Sequence, residues 1–154
     1  MKILVLLAAG AALMATADSA GIDLWKASEL KSFEKKLAAK MDAKKTPAAE
    51  SLANYGNHNI SVIHREVSGE AELHQTQADL FVVQTGEATM VVGGTVVNPR
   101  TTAPNEVRGP SIKGGERKQL GPGDILHVPA NTPHQVFLEK GKQFTYAIVK
   151  VDTH

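Results

Sequence analysis

Gly121-Pro122-Gly123-Asp124-Ile125-Leu126-His127-Val128-Pro129-Ala130-Asn131-Thr132-Pro133-His134 is the stretch that decides how the chain is read. Gly121 to Asp124 has the composition of a tight turn, Ile125–Val128 is a short β-prone segment, Pro129 to Pro133 turns again, and residues 134–139 resume as strand. The same pattern repeats outward. Residues 144–151 supply a last strand, and residues 59–65, 71–74, 80–85 and 88–92 supply earlier ones, divided by Gly69, by the polar residues 75–79 and by Gly86-Glu87. Gly93-Gly94 predicts a tight hairpin into residues 95–97, because two central residues with positive φ suit glycine. Eight or so short strands with Gly/Pro turns and no long helix between them predict an all-β barrel or sandwich, the architectures that close or cover their edges. Residues 98–116 hold Pro99, Pro104, Gly109-Pro110 and Gly114-Gly115 and read as a long excursion. Such a length suits either a rim loop shaping a pocket entrance or a surface insertion, with Arg100 and Arg108 as candidate anion contacts.

Upstream of the strands the character changes. Residues 24–43 place Leu30, Phe33, Leu37 and Met41 three or four apart, which predicts an amphipathic helix capped by Ser28 and stopped by Thr46-Pro47. One apolar stripe needs a partner surface, so this helix is expected to cover the barrel outside or a second subunit. Before it come Met1-Lys2, an apolar run over residues 3–14, and Ala15-Thr16-Ala17, the layout of a secretory signal cleaved after Ala17. Asp18 and Ser19 end the run too early for a membrane anchor, so a periplasmic or secreted protein is expected. The expected organisation is a signal peptide over 1–17, an N-terminal helical region over 18–56 and a β-barrel domain over 57–154. The 154 residues suit one domain. No cysteine is present, which excludes disulfides, thiolate chemistry and a lipoprotein anchor. Lys and Arg number 17 against 16 Asp and Glu, a balance that offers no field for nucleic acid.

Two stretches carry a resemblance. Gly69-Glu70-Ala71-Glu72-Leu73-His74 with Asp79-Leu80-Phe81-Val82-Val83-Gln84-Thr85-Gly86 resembles the first conserved motif of the cupin superfamily, and Pro122-Gly123-Asp124 through His134 resembles the second. The resemblance covers roughly residues 60–150 and implies a small single-domain cupin, a jelly-roll-like antiparallel β-barrel. Cupin metal sites commonly take two His and one acidic residue from the first motif and one His from the second. His74, Asp79 and His134 match that pattern, whereas Gln75, Thr76 and Gln77 stand where the second His of the first motif would fall. The resemblance also implies a homodimer and a divalent transition metal, Fe, Mn or Zn.

Residue chemistry supports the same set. Two imidazoles and one carboxylate converging on one point make a facial site that suits Fe(II) and leaves positions open. Asp79 shares strand parity with Phe81 and Val83, which are expected inside, while Leu80 and Val82 face the helix or a partner. His64 and His127 are candidate catalytic groups that could move protons near neutral pH; a satisfied core His and an outward-facing His are their structural alternatives. Gln75 or Gln77 could add an amide oxygen. The functional expectation is a small-molecule-binding cupin with a divalent-metal site, acting as an oxygenase or an isomerase-like enzyme. The alternative is a non-catalytic, metal-free ligand-binding barrel.

Overall fold

The computed structural model describes residues 21–153, so the leader reading of residues 1–17 lies outside the described residues. Among the described residues one helix, α1 (Ala27–Ala38), precedes thirteen strands: β1 (Ala48–Asn54), β2 (His58–Arg65), β3 (Ala71–His74), β4 (Gln77–Gly86), β5 (Ala88–Val92), β6 (Thr95–Val97), β7 (Arg100–Ala103), β8 (Glu106–Gly109), β9 (Ser111–Lys113), β10 (Glu116–Leu120), β11 (Ile125–Val128), β12 (His134–Phe137) and β13 (Phe144–Asp152). They form a five-stranded sheet in the order β1-β2-β13-β4-β11, a six-stranded sheet in the order β10-β5-β12-β3-β8-β7, and the small pair β6-β9. Every paired strand is antiparallel.

Alternation along each strand divides the side chains between two cores. Phe81, Val83, Met90, Leu120, Val128, Val136, Phe144, Tyr146 and Ile148 fill the space between the sheets. On the other face of the five-stranded sheet, Val62 and Ala147 meet Phe33 and Leu37 of α1, with Leu30, Leu52 and Val82 beside them. The helix therefore does what its single stripe predicts: it covers the barrel outside. Its extent is shorter than residues 24–43. Lys26, not Ser28, holds the N-cap position, without a side-chain cap, and the helix ends at Ala38. Beyond it, Asp42 accepts hydrogen bonds from the backbone N–H and the hydroxyl of Thr46, both at 2.9 Å, a local turn that competes with further helix.

Three other expectations are corrected. Residues 48–54, assigned by sequence to the helical region, form edge strand β1, paired with β2 through a bulge between Ser51 and Ala53. Ala-Ala-Glu-Ser-Leu-Ala-Asn has weak β propensity, and tertiary pairing overrides it. The expected hairpin at Gly93-Gly94 is a turn with positive φ at both glycines, but β5 pairs with β10 and β6 with β9. Gly93-Gly94 and Gly114-Gly115 thus bend both arms of one long hairpin out of the sheet together. The excursion over 98–116 is not irregular: it contains β7, β8 and β9, and β8 pairs with β3 in register Glu72↔Arg108 and His74↔Glu106. That pairing carries two charged side chains into the barrel.

Candidate metal centre

One end of the barrel interior is apolar; the other opens into a cavity of about 510 Å³. Its walls follow from strand parity. Ile63 and Arg65 of β2, Glu72 and His74 of β3, Phe81 of β4, Glu106 and Arg108 of β8, His134 and Val136 of β12, and Tyr146, Ile148 and Lys150 of β13 all line it.

Glu72, His74 and His134 offer ligand atoms that lie within 4.8 Å of one another. Nε2 of His74 is 3.7 Å from Oε2 of Glu72 and 3.2 Å from Oδ2 of Asp79, and Nε2 of His134 is 3.4 Å from the same Asp79 oxygen. Donors bound to one tetrahedral ion at about 2.0–2.1 Å would stand about 3.4 Å apart; the contacts of 3.2, 3.4 and 3.7 Å are close to that spacing, and Glu72, His74 and His134 would draw together slightly to reach it. The imidazoles are also turned the right way. Nδ1–H of His74 donates to Glu106, and Nδ1–H of His134 donates to the Thr132 carbonyl at 3.1 Å. Both assignments leave the Nε2 lone pairs aimed at the cluster, the arrangement in which an outer acceptor fixes a metal-ligating ring. Nε2 of His134 is buried with no hydrogen-bond partner among the described residues. A buried acceptor in that state is costly and is satisfied by a cation.

A lysine shares this cluster. Nζ of Lys150 donates to Nε2 of His74 at 2.8 Å and to the Asp79 carboxylate at 2.8 and 3.0 Å. Asp79 is almost wholly buried. Burial pushes its carboxyl up, but the close His134 and His74 rings and the Lys150 charge outweigh it, holding the group far below the usual carboxylate range. Burial lowers the His74 imidazole, and Asp79 and Glu106 overcome this and raise it. For Glu72, burial again opposes ionisation, and Arg108 and Arg65 win, keeping it a carboxylate. Nη1 of Arg108 reaches Glu72 and Nη2 reaches Glu106, both at 2.8 Å.

The expected ligands His74, Asp79 and His134 are therefore brought together, with Asp79 held on one side by Lys150. The proton-transfer candidates are not. His64 shares a face with Val62, beneath the helix, where its Nδ1 meets Thr145 Oγ1 at 2.8 Å; Ile63 and Arg65 take the cavity face. His127 is exposed on edge strand β11, between inward Leu126 and Val128. Neither lines the cavity, and a general base must come within hydrogen-bond reach of its substrate. Gln77 is turned outward, its amide donating to Asp152 at 2.8 Å. Sequence reasoning missed Glu72, Glu106, Lys150 and Arg65. Glu72 was legible as the residue two before His74 on the same strand face; Lys150 was legible as the charge in phase with Tyr146 and Ile148.

The architecture has known counterparts. TT1209 from Thermus thermophilus superposes with a TM-score of 0.55 at 17% identity, covering 78% of this chain and 94% of that one. The Cnp3 cupin domain of Schizosaccharomyces pombe matches with a TM-score of 0.50 at 9% identity, over 69% of this chain and 61% of that one. The chain has the cupin fold. The DMSP lyase DddQ from Ruegeria pomeroyi DSS-3 also matches, with a TM-score of 0.50 at 16% identity over 71% of this chain and 49% of that one. No family model and no curated protein matches the sequence. At these identities the cupin likeness concerns the barrel alone, and the chemistry of the site rests on the side chains just described.

Proposed function

We propose that this cupin holds a divalent transition metal on Glu72, His74 and His134 and binds a small organic molecule in the cavity beside it. The observation that carries the reading is the orphaned, buried Nε2 of His134 facing two carboxylates and a second imidazole of the same tautomer. Two imidazoles and one carboxylate suit Fe(II), Mn(II) or Zn(II) and leave coordination positions open. When bound, the metal would supply Lewis acidity for isomerase-like chemistry or a redox centre for an oxygenase.

This chain's own residues would hold and orient the substrate. Phe81, Val136 and Ile148 exclude water from one end of the cavity, while the Tyr146 hydroxyl accepts a hydrogen bond from Arg65 Nε at 3.0 Å. Burial raises the Tyr146 phenol above its ordinary value, so it stays protonated and can donate to a substrate oxygen. Among the described residues no helix is long and apolar enough to cross a membrane, and the leader reading would place the site in the periplasm or outside the cell, in a homodimer if the resemblance extends to assembly.

The metal-free alternative has one observation in its favour, the Lys150 ammonium lodged between His74 and Asp79. It supplies a cation without an ion. Chelation separates the two readings. A ligand that binds only the folded barrel stabilises it by about 2.7 kcal/mol at a hundred times its Kd, so stripping the metal is expected to lower the melting temperature by roughly 5–10 °C. Differential scanning calorimetry with and without EDTA, followed by Zn(II) restoration, checks this; an unchanged melting temperature in all three scans favours the metal-free barrel.

A further inference from the structure

Arg65 stands apart from the other cations in the cavity. It is 9% exposed, and its Nε donates to Tyr146. Among the described residues its outer nitrogens have one acidic partner, Oε1 of Glu72, and that ion pair is long, 3.6 Å from Nη2. Arg108, by contrast, has committed both outer nitrogens, and Lys150 is bound by Asp79 and His74. A nearly buried guanidinium whose fork is only loosely paired gains free energy when something planar and anionic completes it. Room for that fork is built in. A Cβ on residue 69 would sit 2.8 Å from Nη1, so glycine at this position lets the guanidinium lie where it does.

Charge points the same way. The cluster holds three cations, Arg65, Arg108 and Lys150, against three carboxylates, Glu72, Glu106 and Asp79. It is balanced as it stands. A divalent ion on Glu72, His74 and His134 adds two positive charges that no side chain of the cluster offsets, and an uncompensated charge in a partly buried site is expensive. Glu72 also fixes the spacing: one carboxylate oxygen faces Arg65 and the other faces His74, so a group seated on the Arg65 fork lies one carboxylate's width from the metal donors. The remaining wall is apolar, formed by Ile63, Phe81, Val136 and Ile148.

From this geometry, and resting on the metal reading of the same site, we infer that the ligand is a small organic carboxylate. Its carboxylate sits on the outer nitrogens of Arg65 and its apolar body lies against the Phe81 side of the cavity.

The test compares acetate, isobutyrate and benzoate with acetamide, isobutyramide and benzamide on the intact protein, after Zn(II) uptake has been measured by equilibrium dialysis. At least one carboxylate is expected to bind tenfold or more tightly than its amide by calorimetry, and Arg65→Gln is expected to remove that preference while Zn(II) uptake persists. Arg65→Lys, which keeps the charge beside Glu72, serves if the Gln variant does not fold, and is expected to weaken the preference because an ammonium lacks the fork. Protein that takes up Zn(II) yet binds no carboxylate better than its amide overturns the anion proposal and leaves the metal reading intact. Protein that takes up no Zn(II) overturns the metal reading; a carboxylate preference that persists there, and falls in the Arg65 variants, supports the anion site, and its absence overturns that as well.

Discussion

His134→Ala is expected to weaken Zn(II) or Mn(II) binding by at least about 100-fold, beyond the 10–100-fold typical of losing a group that only orients a ligand. His134 enters from the second-motif strand, opposite the two first-strand donors, and its ring is tied through Nδ1 to the Thr132 carbonyl. Asp79 is the nearest other donor, and Lys150 already holds its carboxylate. Glu106→Gln makes the graded comparison. Glu106 accepts from His74 Nδ1 and touches none of the proposed open positions, so its loss is expected to cost about 10–100-fold while stoichiometry survives. His127→Ala, on the exposed edge of β11, is expected to change nothing. Isothermal titration of the four proteins with Zn(II) gives the ranking; equal affinities for the wild type and His134→Ala would mean that any metal taken up lies elsewhere.

Lys150→Met is expected to act in two opposite directions. In the metal-free protein the ammonium is the counter-charge of a buried Asp79, and removing one member of such a pair costs about 3 kcal/mol, near the low end of the usual range because the Lys150 side chain is 24% exposed. Metal-free Lys150→Met should therefore melt earlier. Metal affinity should rise. The ammonium occupies a lone pair of His74 Nε2 that a bound ion needs, so it must withdraw before the ion can bind, and like charges repel strongly at this range. An increase of at least about tenfold in Zn(II) affinity, or about 1.4 kcal/mol, is expected. Methionine keeps the length and the apolar stem, which limits the change to the charge. Loss of stability with no gain in affinity would mean that Lys150 substitutes for the metal rather than competing with it.

How far the sequence carried depends on which forces act locally. The Gly-Pro-Gly-Asp and Pro-Ala-Asn-Thr-Pro turns flanking Ile125–Val128 are set by local backbone preferences, and the structure has both, with Gly123 and Asn131 at positive φ. The helix stripe through Phe33 and Leu37 was legible because burial imposes a period of 3.6. Strand β1 was not, since Ala48–Asn54 owes its conformation to pairing with β2 and to Leu52 packing beneath α1. Parity placed Asp79 with Phe81 and Val83 inside, as found, but parity alone cannot say which face of β2 looks into the cavity, and His64 falls on the helix side. The charged partners that β8 brings to the centre were hidden for a different reason. Glu106 and Arg108 reach His74 and Glu72 only because β8 folds back on β3 over thirty residues later, a long-range pairing with no local signature.

Metal content is the most direct measure of the account. The protein should be purified from its native compartment without a His tag or added metal, and analysed by inductively coupled plasma mass spectrometry before and after incubation with Fe(II), Mn(II) or Zn(II). The account predicts close to one equivalent of a single transition metal, lost on chelation, restored on addition, and absent from His134→Ala. Less than about 0.1 equivalent of every transition metal, with no uptake on adding any of the three ions, would contradict it.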